Sequence, residues 1–164
     1  MSRPALCCYW VRPGRLLAGE HPGALGSGVA ASNIDSLIDQ GITFVLDLTE
    51  EGELQPYGDH LAERAQWVRM AVRDFSVPTE QELVAILDAI DEALETGHVV
   101  YLHCLGGTGR TGTVVGCHLI RHGTPPHDAL QQIREWLGDA GRPDRESPET
   151  PEQRERVLGW REGA

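Results

Sequence analysis

The sequence lacks an apolar run close to the ~20 residues that cross a membrane, so no membrane-spanning helix is expected. The segment MSRPALCCYWVRPGR also lacks the apolar stretch of a secretion signal, and we therefore expect no export and a cytoplasmic location. Positive charge is scarce, because 14 basic residues face 25 acidic ones and the net charge is −11. Nucleic acids and anionic membranes bind basic surfaces, so the charge predicts neither as a partner.

Paired cysteines and metal-ligand spacings are missing as well. The histidines His118, His122 and His127 lie close together in sequence, but no acidic or thiol neighbour completes a ligand set. We therefore predict no metal site and no cofactor. The cysteines show no C-x-x-C pattern, and adjacent cysteines rarely bridge each other, so a reduced compartment is expected. The four are Cys7, Cys8, Cys104 and Cys117.

With 164 residues and 40% hydrophobic content, the chain is long enough for one domain over 1–164 with a true core. Predicted strands alternate with predicted helices, which indicates an α/β three-layer sandwich whose central, mostly parallel mixed sheet is flanked by helices. Residues 1–31 are rich in glycine and proline and are expected to be irregular around one short strand. The predicted strands are Arg15–Ala18, Thr43–Leu48, Trp67–Val72 and His98–Leu102.

The clearest helix follows Pro78. Thr79 is an N-cap candidate with Glu82 three residues later, which is a capping box, and apolar residues then recur at helical spacing until Gly97. The other predicted helices run from a Ser32 cap to Gln40, over Asp59–Ala65, over Thr111–His122, from a Thr124 cap, and from near Pro151.

The stretch HCLGGTGRT, residues 103–111, joins the last predicted strand to a helix. Gly106, Gly107 and Gly109 allow the backbone to curl with its N–H groups inward, because glycine tolerates positive φ. Such a nest at a helix N-terminus binds anions. Arg110 adds a planar pair of donors that matches two oxygens of a phosphate. The loop is therefore predicted to bind phosphate.

Cys104 lies where a bound phosphorus would be. The inward amides, the helix dipole and Arg110 favour its thiolate, which can attack phosphorus to give a cysteinyl-phosphate. His103 is expected to face away from the substrate and to fix the backbone beside the thiol. Thr111 is expected to donate its hydroxyl to the sulfur, which would ease departure of the thiolate in the second step.

The segment resembles the signature loop of the cysteine-dependent protein tyrosine phosphatases, and HCLGGTGRTGTVVGCHLIRHG is similar to that of small bacterial members of the dual-specificity branch. The resemblance implies a phosphatase acting on phosphotyrosine, phosphoserine or phosphothreonine of proteins. The predicted substrate-binding residues are Leu105, Gly106, Gly107, Thr108, Gly109 and Arg110.

A leaving group needs a proton as its P–O bond breaks, and Asp74 in VRDFSVPT is the candidate acid. In the phosphatase family that this sequence resembles, an aspartate followed shortly by a proline occupies this place, and Asp74 and Pro78 match that pattern. The alternative is that Asp74 caps a turn. Gln153 in SPETPEQRERV resembles the glutamine that positions water in the phosphatase and tensin homologue group. An ordinary surface helix is the alternative for Gln153.

We expect supporting or structural roles for several further residues. Glu20 could pair with Arg110 and hold its planar donor pair. Asp47 lies inside a buried strand and is expected to be structural, and Asp59 is expected to cap a helix. Cys117 is expected in the core, with a redox partnership with the nucleophile as a remote alternative.

The substrate has open alternatives. Residues 105–109 contain no lysine, and the chain is acidic, which favours a singly phosphorylated protein side chain. The same chemistry on an inositol phosphate, a nucleic-acid 5′ phosphate or a sugar phosphate is one alternative. A pseudophosphatase that binds phosphoproteins without turnover is the other, although its usual sign, a missing Cys, Arg or Asp, is not present.

Overall fold

The computed structural model describes residues 6–24 and 26–162. Its five-stranded sheet has the order β1-β2-β5-β3-β4, in which β1 pairs antiparallel with β2 and the other neighbouring strands pair in parallel. This confirms the predicted mixed, mostly parallel sheet. The strands are Cys8–Arg12 (β1), Leu16–Gly19 (β2), Phe44–Asp47 (β3), Gln66–Arg69 (β4) and Val100–His103 (β5).

Helices cover both faces of the sheet, which confirms the three-layer sandwich. Residues of α1 and α2 form one apolar core with alternate strand residues, and those of α3 to α6 form the other. Among the described residues, no helix has both the length and the apolar character to cross a membrane. The helices are Ser27–Asp39 (α1), Gly58–Leu61 (α2), Glu80–Glu95 (α3), Arg110–Arg121 (α4), Pro126–Asp139 (α5) and Pro151–Leu158 (α6).

Strand β5 occupies the centre of the sheet and leads directly to the glycine loop. Leu102 faces the larger core while Tyr101 faces the other, and both are fully buried. A strand covered on both faces needs apolar residues at every position, which explains the continuous run HVVYL. The loop after β5 therefore lies at the carboxyl edge of a parallel sheet, where open α/β folds bind ligands.

The capping box of α3 is present as predicted. The Glu82 N–H donates to Thr79 Oγ1 at 3.1 Å, and the Thr79 N–H donates to Glu82 Oε2 at 2.8 Å. These bonds satisfy two N–H groups that a helix start leaves without partners. The helix is then held to the sheet by Leu83, Ile86, Leu87, Ile90, Ala93 and Leu94.

Some predicted boundaries were wrong. Strand β1 lies in the segment that was expected to be irregular. It forms because it pairs with β2, and the composition of the segment does not reveal this pairing. Helix α1 begins at Ser27, so Ser32 lies inside it and caps nothing. Helix α5 has Pro125 as its N-cap, in place of Thr124, and Pro125 has the extended backbone of φ −60° and ψ 147°. Asp59 lies in the first turn of α2, where no side chain caps the helix.

Candidate active site

The glycine loop, residues 104–109, connects β5 to α4 and holds a buried thiol. Cys104 is 2% exposed, and the Gly107 N–H donates to its Sγ at 3.3 Å. The 12-residue helix α4 starts at once after the loop, so its N-terminal dipole acts on the same region. An amide donor and a helix N-terminus both stabilise negative charge on sulfur. The loop therefore places an amide donor and a helix N-terminus beside the Cys104 sulfur.

Three contacts hold the loop against other segments. The His21 N–H donates to Leu105 O at 3.0 Å, and Ser147 Oγ donates to Thr108 O at 2.6 Å. Gly107 has φ +78°, and a Cβ added there would lie 2.6 Å from the carbonyl carbon of Gly19. Glycine is required at this position both for the positive φ and for the close backbone approach.

His103 fixes the backbone beside the thiol, as predicted. Its Nδ1 lies 2.9 Å from Cys104 O, and its Nε2 contacts the Tyr57 hydroxyl. A carbonyl oxygen only accepts, so Nδ1 carries the proton and Nε2 accepts from Tyr57. Burial lowers the pKa of His103 and raises that of Tyr57, which keeps this neutral arrangement at pH 7. The histidine thus ties the backbone at Cys104 to Tyr57.

The partner of Arg110 is Glu53, and the prediction that Glu20 plays this part was wrong. Arg110 Nη1 and Nη2 donate to the two Glu53 carboxylate oxygens at 2.8 and 2.9 Å, and Nη1 also donates to Val72 O at 2.9 Å. Glu20 instead accepts from the Cys7 N–H at 2.8 Å. Glu53 follows β3 in an acidic run, EEGE, and the sequence gives no means of choosing it among its neighbours.

Within the described residues, these bonds leave the Nε–H of Arg110 and one N–H of Nη2 without a hydrogen-bond partner. The guanidinium is 1% exposed, and its Nε has no hydrogen-bond partner within the described residues. A buried polar N–H without a partner is costly, so such groups in native proteins usually await a ligand or water. Because Glu53 occupies the Nη1–Nη2 edge, the Nε side of the guanidinium is the side left available to an anionic ligand. Burial lowers the pKa of Arg110, but the hydrogen bonds to Glu53 outweigh this and raise it.

Asp74 reaches the same guanidinium from the loop between β4 and α3. Its Oδ1 lies 3.3 Å from Arg110 Nη2 and accepts from the Phe75 N–H at 2.9 Å. The side chain is 36% exposed. Phe75 has φ +61°, an uncommon conformation for a residue with a side chain, and it shapes the turn that presents Asp74. The candidate acid therefore lies beside Arg110, the predicted phosphate ligand.

Thr111 does not make the hydrogen bond that the sequence predicts for it. Thr111 is fully buried, and its hydroxyl has no hydrogen-bond partner within the described ranges; the bond to Cys104 Sγ is absent here. It lies in the first turn of α4, and a helical backbone fixes where its short side chain can reach.

Gln153 is fully buried and joins three segments. Its Oε1 accepts from the N–H groups of Glu149 and Thr150 at 3.0 Å, and its Nε2 donates to Ser76 O at 3.2 Å. A Cβ added to Gly109 would lie 3.3 Å from either terminal atom of Gln153. The residue thus connects the Asp74 loop to the glycine loop, and T-P-E-Q is a second capping box that the sequence analysis missed. Its role in positioning water stays a prediction.

A basic residue that the sequence analysis did not identify lies beside the loop. An added Cβ on Gly106 would be 3.1 Å from Arg145 Nη2, so this guanidinium packs against the loop backbone. A cavity of about 350 Å³ next to it is lined by Arg134, Arg145 and Arg154 together with acidic residues. No pattern in the sequence links position 145 to the loop, because the contact depends on how the segment before α6 folds back.

Two predictions concern residues away from the loop. Cys117 lies fully buried in the larger core as expected, and burial raises its pKa to about 12, which makes it an inert thiol. No disulfide joins cysteines in the described part of the chain. The expectation that no acidic partner accompanies His118 and His122 was wrong, because Asp91 of α3 lies beside both.

Comparison with known proteins places these features in a family. A family model described as a Swiss Army Knife protein, DSP-PTPase phosphatase domain (PTP-SAK), matches residues 5–153. The chain belongs to this DSP-PTPase family. The crystal structure of Tk-PTP in its active form is similar to this DSP-PTPase domain, with a TM-score of 0.75, 27% identity, and 93% of each chain covered.

Two relatives from Arabidopsis thaliana are also similar to this DSP-PTPase domain. Dual specificity protein phosphatase 1 is 32% identical over 111 residues, which is 67% of this chain and 54% of the relative. The phosphatidylglycerophosphate phosphatase PTPMT1 is 27% identical over 113 residues, which is 67% of this chain and 34% of the relative. The chain thus matches only about a third to a half of the length of these relatives.

Proposed function

We propose that this chain is a phosphatase that hydrolyses phosphomonoesters of protein side chains through a cysteinyl-phosphate intermediate. The observation that carries the proposal is the arrangement around Arg110: Glu53 holds one edge of its guanidinium, Nε is left without a partner among the described residues, and Asp74 lies 3.3 Å from Nη2. Cys104 lies on the loop that ends at this arginine. Nucleophile, phosphate ligand and acid are thereby within one site.

In the first step the Cys104 thiolate attacks phosphorus and forms an S–P bond while the P–O bond to the leaving group breaks. Asp74 gives its proton to the departing oxygen. In the second step water attacks phosphorus, Asp74 accepts a proton from that water, and the S–P bond breaks to restore the thiolate. Arg110 and the loop N–H groups stabilise the charge on the phosphoryl oxygens in both steps.

Gln153 fits the second step, because it links the Asp74 loop to Gly109. The Thr111 hydroxyl, buried and without a partner in the described ranges, is a donor available to a phosphoryl oxygen or to the sulfur once phosphate is bound. No step in this scheme uses a metal ion or a cofactor. A chain that depends on a reactive thiol suits a reduced compartment such as the cytoplasm.

A phosphorylated protein side chain is the first candidate substrate, since residues 105–109 contain no lysine to hold additional phosphates and the chain is acidic overall. Arg145 beside Gly106 favours a second candidate, a small phosphomonoester with another anionic group, because a guanidinium at the loop rim can bind that group. The similarity to PTPMT1, which is named for a phosphorylated lipid, supports this second candidate.

Hydrolysis of p-nitrophenyl phosphate, phosphopeptides and inositol phosphates in the presence of EDTA tests the proposal. We expect turnover by the unaltered chain and none by Cys104→Ser. Asp74→Asn should slow substrates with poor leaving groups far more than p-nitrophenyl phosphate, because a good leaving group needs little protonation. Phosphopeptide binding without phosphate release would instead establish a pseudophosphatase.

Arg145→Ala separates the two substrate candidates. If a second anion binds at this position, kcat/KM falls for inositol phosphates and stays unchanged for p-nitrophenyl phosphate. If no second anion binds there, as expected for an enzyme that acts on singly phosphorylated side chains, kcat/KM for inositol phosphates remains within twofold of the unaltered chain. Arg161→Ala is the matched control, because it removes one exposed positive charge outside the loop and its neighbours.

A further inference from the structure

A cluster of metal-ligating side chains lies where α3 packs on the C-terminal half of α4. His118 and the α4 C-cap His122 are four residues apart, so their side chains lie on one face of the helix, and their ring centroids are 4.5 Å apart. Asp91 projects toward them from α3. One donor atom of each residue, two imidazole nitrogens and one carboxylate oxygen, lies within 4.8 Å of the other two.

The buried member of this cluster lacks a hydrogen bond. His118 is 1% exposed, and its Nδ1 has no hydrogen-bond partner in the described parts of the chain. Asp91 Oδ1 lies 3.9 Å from this nitrogen, too far for a hydrogen bond. The same Oδ1 lies 2.9 Å from His122 Nε2. A buried nitrogen aimed at a shared carboxylate oxygen without bonding it indicates a position for a further group between them.

The other side of the carboxylate is already oriented. Arg121 Nη1 donates to Asp91 Oδ2 at 3.0 Å, which leaves Oδ1 directed at the two histidines. Hydrogen bonds of this kind commonly orient the carboxylates that ligate metal ions. The charge of Arg121 is itself compensated, because it also bonds Asp88 and Glu162. Three carboxylates around one guanidinium leave the local charge negative, which favours a cation.

We propose that Asp91, His118 and His122 bind a divalent transition-metal ion, with Zn²⁺ as the representative case. Two imidazoles and one carboxylate are a ligand set that zinc accepts, with water in the remaining position. Ligand distances of about 2.0–2.2 Å require the three donor atoms to surround one point. The donor atoms lie within 4.8 Å of one another, so side-chain rotations must bring them closer together around the ion. Hard cations such as Mg²⁺ prefer all-oxygen sites and should not bind.

An ion at this site would connect α3 to α4, and α4 carries the glycine loop at its other end. A ligand that binds only the folded state stabilises it by mass action. The site is separate from the proposed catalytic residues, so the proposal does not depend on the phosphatase chemistry.

Calorimetric titration with ZnCl₂ and with MgCl₂ tests the proposal on the full chain after EDTA treatment. All titrations use the Cys104→Ser chain as the background, because the Cys104 thiolate could also bind zinc and alter the measured number of zinc ions per chain. In this background we add His122→Ala, which alters an exposed side chain, and Asp91→Asn, which keeps the shape of the residue. His127→Ala removes an exposed histidine outside the cluster and is the matched control.

The expected result is one Zn²⁺ per chain, no Mg²⁺ binding, and a zinc-dependent rise in the unfolding temperature. His122→Ala and Asp91→Asn should each weaken zinc binding at least about tenfold, since loss of even an outer partner of a metal ligand costs that much. His127→Ala should bind as the background does. The proposal is overturned if the background binds no zinc, or if zinc affinity and the rise in unfolding temperature survive both His122→Ala and Asp91→Asn.

Discussion

Replacing Glu53 with glutamine removes the charge that holds Arg110 while it keeps the size of the side chain. In the structure the two carboxylate oxygens accept at 2.8 and 2.9 Å from a guanidinium that is 1% exposed, and the Glu53 side chain is itself only 18% exposed. Partial burial raises the pKa of Glu53, but the bonds from Arg110 outweigh this and lower it, so the carboxylate is charged at pH 7.

The size of the effect follows from the number of bonds lost. Glutamine keeps one oxygen acceptor, so one of the two charge-assisted hydrogen bonds disappears, and such bonds contribute about 1.5–3 kcal/mol each. If this loss frees Arg110 from the geometry that binds the transition state, kcat/KM falls roughly 10- to 150-fold.

The assay is p-nitrophenyl phosphate hydrolysis at pH 7, with Glu51→Gln as the matched control. Glu51 is an exposed acid two residues away on the same turn and has no contact with Arg110 among the described bonds. It should change kcat/KM less than twofold. A Glu53→Gln variant as active as the unaltered chain would show that Arg110 needs no such support, and the argument about its orientation would fail.

Three further predictions concern the scaffold. Gly107→Ala places a Cβ 2.6 Å from the backbone of Gly19 at a φ of +78°, so activity and melting temperature should both fall. The control Gly138→Ala in α5 adds a Cβ that meets nothing within 4 Å, so the melting temperature should stay unchanged or rise. Thr79→Ala removes the α3 cap and should lower the free energy of unfolding in urea by about 0.5–2 kcal/mol, and an unchanged midpoint would contradict the capping account. Burial raises the pKa of Asp47, but His103 and the hydrogen bonds from Thr49 have the larger effect, so the pKa in the folded state is lowered. The charged carboxylate therefore stabilises the fold at pH values above its unfolded pKa of about 3.9. The unfolding free energies of the unaltered chain and of Asp47→Asn should therefore differ most above about pH 5 and converge as the pH falls below about 4; a difference that does not change with pH would refute this.

The local features of the fold were predictable because their causes are local. The α3 capping box depends on residues three positions apart, and the buried strand before the loop depends on a continuous apolar run. The glycine loop was predictable for the same reason, because its backbone curvature, the helix N-terminus and Arg110 all lie within nine residues of sequence. The Thr124 cap failed because Pro125 precedes Pro126, and a residue before a proline is driven to the extended backbone that Pro125 has here.

The contacts that were missed join distant segments. Glu53 reaches Arg110 from a loop 57 residues earlier in the chain, and three acidic residues in that run were equivalent candidates. Arg145 meets Gly106, and Asp91 meets His118, only after helices have packed on the sheet. Charge and hydrogen-bond partners of this kind depend on tertiary packing, which a single sequence does not display.

The central claim is that the Cys104 sulfur forms a covalent bond to phosphorus during turnover. Rapid denaturing quench of Asp74→Asn with p-nitrophenyl phosphate, followed by peptide mass spectrometry, tests it directly, because loss of the general base slows hydrolysis of the cysteinyl-phosphate in the second step. The account predicts the mass of one phosphoryl group on the peptide that contains Cys104, and none in the Cys104→Ser chain. Release of nitrophenol by the Asp74→Asn chain with that peptide unmodified throughout, or turnover by Cys104→Ser, would contradict it.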